Sequence, residues 1–159
     1  MGLNFKGQQY GDCFFITFSF ANRRKIGQIQ GVYEILAESL NFRVFKTDSK
    51  ILSYVFMPSH LHFVLSIDGK NLSGFVRDFK KYTAQKHLIK LCKINPVWQA
   101  GYDRQAIWSM EVLKTKIKYC HNNPVRANLV ENAEDWYYSS YANYLALRNG
   151  PVNVHKGWF

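Results

Sequence analysis

Hydrophobic and polar positions along this chain follow patterns that predict strands and helices in alternation. An apolar stretch rich in aromatic and β-branched residues at 13–20 predicts a first strand. Apolar residues at helical spacing then predict a first helix over 28–41. Two further strands are expected at 51–57 and 60–67, joined by a tight turn that contains proline.

The second half of the chain continues this alternation. The elements expected there are a long helix over 73–91, a short strand over 102–107, a helix from Met110 to about 119–123, a short segment over 125–129 and a last helix after Ser140. The order of strand, helix, strand, strand, helix and strand predicts an α+β fold. We expect a ferredoxin-like antiparallel sheet with helices on one face, within a single domain spanning 1–159. The helix that starts at Met110 is an addition to that core.

The excess of basic over acidic residues favours a negatively charged partner. Lys and Arg number 21 against 11 Asp and Glu, which gives a net charge of +10 and a sequence pI near 9.6. Aromatic residues make up 16% of the chain. A basic, aromatic-rich domain is typical of proteins that bind nucleic acid, although the lysines could also form an ordinary polar surface. The positive charge is spread over several segments, so a membrane-surface partner is not expected.

Cysteine usage and the absence of a long apolar stretch in the sequence predict a cytoplasmic protein. Cys13, Cys92 and Cys120 are odd in number and include no close pair, which argues against a disulfide framework or a thiolate zinc site. The apolar run near the start of the chain is far too short to span a bilayer.

Two histidines separated by one residue begin the third predicted strand. Side chains alternate between the two faces of a strand, so His60 and His62 should project from the same side. Two imidazoles held on a stiff element can form half of a divalent metal site, with positions left for water or phosphate oxygens. Because only neutral imidazole binds a metal, binding should weaken below about pH 6. The alternative is a pair of ordinary hydrogen-bonded histidines.

Tyr119 follows a lysine-rich stretch, and Asn123 lies one helical turn later. A phenol is a poor nucleophile until nearby positive charge lowers the cost of ionising it, and the lysines and a metal would supply that charge. Two alternatives stay open at this point. Tyr119 could be an ordinary packing residue, and Asn123 could be the N-cap of a segment that begins at Pro124.

Two sequence segments resemble motifs of a known family. The segment at 54–65 reads Tyr-Val-Phe-Met-Pro-Ser-His-Leu-His-Phe-Val-Leu and resembles the HUH (His, hydrophobe, His) signature of single-tyrosine transposases. The segment at 119–130 reads Tyr-Cys-His-Asn-Asn-Pro-Val-Arg-Ala-Asn-Leu-Val and resembles the tyrosine-helix motif of the REP-associated subgroup. Shorter matches lie between and after these motifs, so the resemblance spans about 14–144. Two departures are mild: Asn128 stands where glycine is common, and Ser59 stands where asparagine is common.

The resemblance implies a metal-dependent nuclease and strand transferase that acts on single-stranded DNA with repeat-derived hairpins. It implies a 5′-phosphotyrosine intermediate and a free 3′-hydroxyl. His60 and His62 would be metal ligands, Tyr119 the nucleophile and Asn123 a third ligand, with Mg²⁺ or Mn²⁺ as the ion. The sequence leaves open whether the protein is a monomer or a homodimer, and whether the tyrosine serves its own subunit's metal.

Basic residues are expected to contact DNA phosphates, and these are Lys80, Lys81, Lys86, Lys116, Lys118 and Arg104. Arg104 could instead pair with Asp103. Two rival functions are a non-catalytic nucleic-acid-binding module of the same fold and a rolling-circle replication nuclease. The second shares the histidine pair but generally has a different motif order and often a second tyrosine nearby.

Overall fold

The computed structural model describes residues 12–158, together with the backbone of residues 4–5 and 8–9. Its strands are β1 (Asn4–Phe5), β2 (Gln8–Gln9), β3 (Cys13–Ser19), β4 (Lys50–Phe56), β5 (His60–Ser66) and β6 (Asp103–Ala106). The last four form one antiparallel sheet in the order β4-β5-β3-β6, and β1 pairs with β2 in a two-residue ribbon. The predicted ferredoxin-like sheet is therefore confirmed, with strand ends shifted by one residue in most cases.

The described residues also form five α-helices. They are α1 (Val32–Lys46), α2 (Gly69–Thr83), α3 (Ile89–Cys92), α4 (Met110–Arg126) and α5 (Tyr141–Tyr144). A π-helical segment, Ala84–Leu88, joins α2 to α3, and short 3₁₀ turns lie at Ala21–Arg23, Ile26–Gln28 and Ala133–Asp135. Within residues 12–158, none of these helices combines the length and apolar character needed to cross a bilayer.

The sheet separates two apolar cores because side chains alternate along its strands. Ile16 and Phe18 of β3 pack with the inner faces of α1 and α2. Phe15 faces the opposite way, into a second core with Leu113 and Ile117 of α4. Each large apolar side chain buried in this way contributes about 1.5–3 kcal/mol. Helix α4 is therefore fixed against the sheet face opposite the other two long helices.

The boundaries predicted for the first helix, 28–41, are wrong at both ends. Ile26–Gln28 forms a 3₁₀ turn, and Gly31 adopts a φ of 93°, so the α-helix begins only at Val32. This positive φ is a conformation that glycine adopts without strain. The helix continues to Lys46 and ends where the Thr47 hydroxyl donates to the carbonyl of Arg43 at 2.7 Å.

The second predicted helix, 73–91, begins earlier than its apolar pattern indicates. The Asp68 carboxylate accepts a hydrogen bond from the Lys70 backbone N–H at 3.1 Å and caps the first turn of α2. Near the other end, the Thr83 hydroxyl donates to the carbonyl of Phe79 and accepts from Trp98 Nε1 at 3.0 Å. The π-helical segment starts directly after this buried threonine.

Helix α4 runs through Pro124 rather than ending before it. The predicted end near 119–123 and the separate segment over 125–129 are therefore wrong, and Asn123 caps no new helix. A proline inside a helix removes one backbone donor, but the following amides recover bonds, with Leu129 N–H donating to the Pro124 carbonyl at 2.9 Å. Asn128 then takes a φ of 57°, a left-handed conformation that asparagine tolerates better than most residues.

The C-terminal segment covers the outer edge of β4. Phe56 N–H donates to the Tyr138 carbonyl at 2.9 Å, and Tyr54 N–H donates to the Ser140 hydroxyl at 3.1 Å. Trp136 Nε1 adds a bond to the Phe56 carbonyl at 2.9 Å. The edge strand is thereby protected from pairing with another chain. The last predicted helix is present as the single turn α5.

Candidate active site

The two imidazoles lie at the start of β5, on the sheet face that α4 covers. His60 and His62 share this face with Val64, whereas Leu61 points into the opposite core. Their ring centroids are 4.6 Å apart. Backbone bonds fix the preceding turn, since Met57 N–H donates to the His60 carbonyl at 2.8 Å. The strand alternation predicted from the sequence thus places both rings side by side.

A hydroxyl contacts Nδ1 of each histidine. Thr17 lies directly opposite His62 in the β3–β5 register, and its Oγ1 is 2.8 Å from His62 Nδ1. Ser59 Oγ is 3.0 Å from His60 Nδ1. With Nδ1 protonated, each hydroxyl accepts a hydrogen bond and each Nε2 keeps its lone pair for a ligand. This second layer of contacts orients both rings.

Burial keeps both imidazoles neutral. Desolvation lowers the pKa of His60 to about 4, with a smaller effect of the positive charge on Arg23. Desolvation also lowers the pKa of His62 to about 3, and His60, Lys116 and Arg23 add to the effect. The form that can bind a metal therefore persists to lower pH than the value near 6 expected from sequence, because the interior disfavours the charged ring.

Tyr119 reaches this site from α4. Its ring centroid is 5.3 Å from that of His62 and 5.7 Å from that of Phe15, both in edge-on geometry. Phe15 in turn stacks on His62 with centroids 5.2 Å apart. The Tyr119 side of α4 is open, and the residue is 36% exposed. The tyrosine and the histidine pair thus meet within one chain, with the phenol accessible from solvent.

Two cationic side chains flank the tyrosine ring. Lys116 Nζ lies 5.8 Å from the ring centroid of Tyr119 and 4.7 Å from that of Phe15. The guanidinium carbon of Arg126 lies 5.7 Å from the Tyr119 centroid. Sequence reasoning missed Arg126 because the helix was expected to end before Pro124. Its spacing of seven residues, about two turns, would have placed it on the Tyr119 side of a continuous helix.

Asn123 lies on α4 one turn after Tyr119 and is half-buried. Within residues 12–158, no cluster of three or more His, Cys, Asp or Glu side chains is arranged to hold a metal ion. Among the described residues, the candidates for a further ligand are an amide such as Asn123, water or a substrate oxygen. Two neutral nitrogens with positions left open are a donor set that suits a catalytic divalent ion.

The other basic residues predicted to bind DNA lie in four different places. Lys80 is turned inward, where its ammonium donates to the Gln99 carbonyl at 2.8 Å and to the Gly101 carbonyl, and desolvation lowers its pKa. Lys81 and Lys86 line a surface cavity between α1 and α2, on the face opposite the histidines. Lys118 lines a different cavity, together with Lys114 and His121 of α4. Arg104 is exposed on β6, which forms the opposite edge of the sheet from β4.

His121 lies two residues after Tyr119 on α4 but is not part of the histidine pair's surroundings. It is buried, and its Nε2 is 2.7 Å from the Ser140 hydroxyl.

Comparison with known proteins identifies the family. The family model for IS200-like transposases matches residues 13–123, which include both histidines, Tyr119 and Asn123. The chain belongs to the IS200-like transposase family. A REP-associated tyrosine transposase of Escherichia coli K12 is 22% identical over 145 residues, covering 90% of this chain and 84% of that protein.

Solved structures of transposases share the fold. A REP-associated tyrosine transposase bound to a REP hairpin superposes with a TM-score of 0.74 at 21% identity, covering 99% of this chain and 93% of that one. A putative transposase from Deinococcus radiodurans R1 superposes with a TM-score of 0.53 at 16% identity, covering 76% of this chain and 96% of that one. The fold of this IS200-like transposase is therefore that of transposase domains along most of its length.

Proposed function

We propose that this chain is a metal-dependent endonuclease and strand transferase that cleaves single-stranded DNA through a covalent bond to Tyr119. The observation that carries the proposal is the edge contact between the accessible Tyr119 ring and the buried His62 ring, with centroids 5.3 Å apart in the same chain. A nucleophile beside a pair of neutral imidazoles is an arrangement suited to attack on a metal-bound phosphate. Membership of a transposase family supports DNA as the substrate.

His60 and His62 would hold the ion through Nε2, and Asn123 is the candidate for a third ligand. Nitrogen ligands bind first-row transition ions more readily than Mg²⁺, so Mn²⁺ is the ion we favour of the two. When bound, the ion would polarise the scissile phosphate and offset its negative charge.

The chain's own residues would carry out a transesterification. Tyr119 Oη attacks the phosphorus, the new Oη–P bond forms, and the bond from phosphorus to the 3′-oxygen breaks. The phenolic proton passes to solvent, and the departing 3′-oxygen takes up a proton. Lys116 and Arg126, both within 6 Å of the Tyr119 ring, would stabilise charge on the pentacovalent phosphate. One phosphodiester replaces another, so the reverse reaction can rejoin a strand without nucleotide hydrolysis.

Hairpin-containing repeat DNA is the substrate class that we propose. The support is the likeness to a REP-associated transposase whose structure contains a REP hairpin, together with the net charge of +10. Neutralising several backbone phosphates is the main source of affinity in such complexes, and binding should weaken steeply as salt is raised.

Replacement of the nucleophile tests the proposal. Tyr119→Phe should bind single-stranded DNA as the unaltered protein does but form no covalent adduct on a denaturing gel, because only the phenolic oxygen is lost. Tyr137→Phe is the matched control, since Tyr137 is 49% exposed and lies under the guanidinium of Arg148 at 5.3 Å. Adducts that persist in Tyr119→Phe would refute the assignment. DNA binding by the unaltered protein with divalent metal, but without cleavage or adducts, would favour a non-catalytic binding module.

A further inference from the structure

A cavity of about 490 Å³ opens on the side of α4 that faces away from Tyr119. Tyr141, Tyr144, Trp158 and His121 supply its aromatic lining, and Lys114 and Lys118 stand at its edge. The volume falls within the range of about 300–1,000 Å³ that is usual for small-molecule sites. The transesterification proposed above uses none of these side chains.

Hydrogen bonds hold the inner wall of this cavity in place. The Tyr144 hydroxyl donates to the Leu52 carbonyl at 2.6 Å and accepts from Trp158 Nε1 at 2.8 Å. His121 is held by the Ser140 hydroxyl, and its ring lies 5.4 Å from the Tyr144 ring and 5.5 Å from the Tyr141 ring. The aromatic faces are thus fixed before any ligand arrives, which lowers the entropic cost of binding a flat group between them.

Two lysines at the edge of the cavity favour a ligand that carries a negative charge. Lys114 and Lys118 are one helical turn apart and exposed, and neither forms an ion pair within the described part of the chain. Like charges at this spacing repel each other. An anion placed between them would relieve that repulsion. A flat aromatic group joined to a phosphate matches both halves of the cavity.

We infer that this cavity binds one unstacked nucleotide of the DNA strand, with the base against the aromatic lining and its phosphate at Lys114 and Lys118. The inference rests on the proposed function for its choice of ligand, because the DNA strand that Tyr119 would cleave is bound to the same helix. Helix α4 would then contact the strand on two sides: the scissile phosphate at Tyr119 and a separate nucleotide at this cavity. Stacking would tolerate every base, since each has a flat π-face.

The test separates base-dependent from phosphate-dependent affinity. Fluorescence anisotropy would compare an oligothymidylate strand with an abasic strand of the same length, both in the Tyr119→Phe background so that no cleavage interferes. Tyr141→Ala removes one wall and leaves the bonds of Tyr144 and Trp158 in place. It should reduce the preference for the base-bearing strand by about 5- to 150-fold, the range for one lost stacking contact. Tyr137→Ala, an exposed tyrosine outside the cavity, should leave that preference unchanged.

The salt dependence of DNA affinity tests whether Lys114 and Lys118 bind the phosphate. Lys114→Met/Lys118→Met should reduce the slope of log affinity against log salt by about 1.4, as expected for two lost phosphate contacts on a single strand. Lys70→Met/Lys93→Met, at exposed positions elsewhere, removes the same charge as a control. An unchanged base preference in Tyr141→Ala, or an unchanged salt slope in the Lys114/Lys118 variant, would overturn the inference. Neither result bears on adduct formation at Tyr119, so the proposed chemistry stands or fails separately.

Discussion

Acidification should destabilise the metal-free protein because three of its histidines are held neutral in the native state: His62 and His121 are buried, and His60 is half-buried. The pKa is lowered to about 4 in His60 and His121 and to about 3 in His62, in each case mainly by desolvation. The ordinary value near 6.5 applies to the unfolded chain. Between these values the unfolded state takes up protons that the native state cannot accept, so stability is full above about pH 6.5 and is lost as pH falls.

The expected magnitude follows from that difference in proton uptake. Lowering the pH from about 7 to about 5.5 stabilises the unfolded form of each such histidine by about 1.2 kcal/mol relative to the native form. The two buried histidines, His62 and His121, together give ~2.5 kcal/mol. The half-buried His60 adds less because water screens its charge, and His155, whose pKa is also lowered by burial, acts in the same direction. The result depends little on the native pKa values as long as they lie well below the final pH. A loss of this size is a large share of the 5–15 kcal/mol typical of a folded domain.

Urea unfolding followed by tryptophan fluorescence, in chelator and over a series of pH values, measures this effect. The slope of unfolding free energy against pH gives the number of protons taken up, which should approach three in the unaltered protein. In His60→Gln/His62→Gln the slope should fall to about one, whatever the variant's absolute stability. An unfolding free energy that is the same at both ends of the pH range, or a slope that the double variant leaves unchanged, would refute the reasoning.

Three further predictions concern the site itself. Thr17→Val should weaken Mn²⁺ binding in isothermal titration by about 10- to 100-fold, because His62 Nδ1 loses its hydroxyl partner. Thr17→Ser keeps the hydroxyl and should bind Mn²⁺ as the unaltered protein does. Equal Mn²⁺ affinities of the two variants would contradict this role of Thr17. Lys116→Met should slow single-turnover cleavage with little change in the urea midpoint of unfolding. Lys80→Met should instead lower that midpoint with little change in cleavage. The reverse pattern would contradict a catalytic role for Lys116 and a structural role for Lys80. His60→Ala should abolish cleavage even when the metal concentration is raised about tenfold, and undiminished cleavage would remove the histidine pair from the mechanism.

Local periodicity is sufficient to predict the four strands of the main sheet and the placement of the two imidazoles on one face. His60 and His62 share a face because a strand repeats every two residues, and that holds whatever surrounds the strand. The hydroxyl of Thr17 could not be predicted, since its contact with His62 depends on the register between β3 and β5. That register depends on how the two strands pair in the folded sheet, which the local pattern of either strand alone does not specify.

Helix boundaries could not be predicted accurately from the sequence. The wrongly predicted end of α4 left Arg126 out of the predicted site. The sequence pattern predicts a new segment from Pro124, but packing of α4 against the sheet outweighs the one hydrogen bond that proline removes. Arg126 therefore stays on the helix and contacts Tyr119. Lys80 was expected to face DNA because of its charge, yet two backbone carbonyls bind its ammonium. Such a contact depends on a distant loop and leaves no local signal.

The proposed reaction depends on Tyr119 becoming covalently joined to DNA beside the histidine pair. Mass spectrometry of tryptic peptides, after reaction of the unaltered protein with a single-stranded hairpin oligonucleotide and Mn²⁺, tests it most directly. We expect a nucleotide 5′-phosphate attached to the peptide that contains Tyr119, and we expect it to disappear when His60 and His62 are replaced. Cleaved DNA with the phosphate on another residue, or with no covalent species at any time, would contradict it.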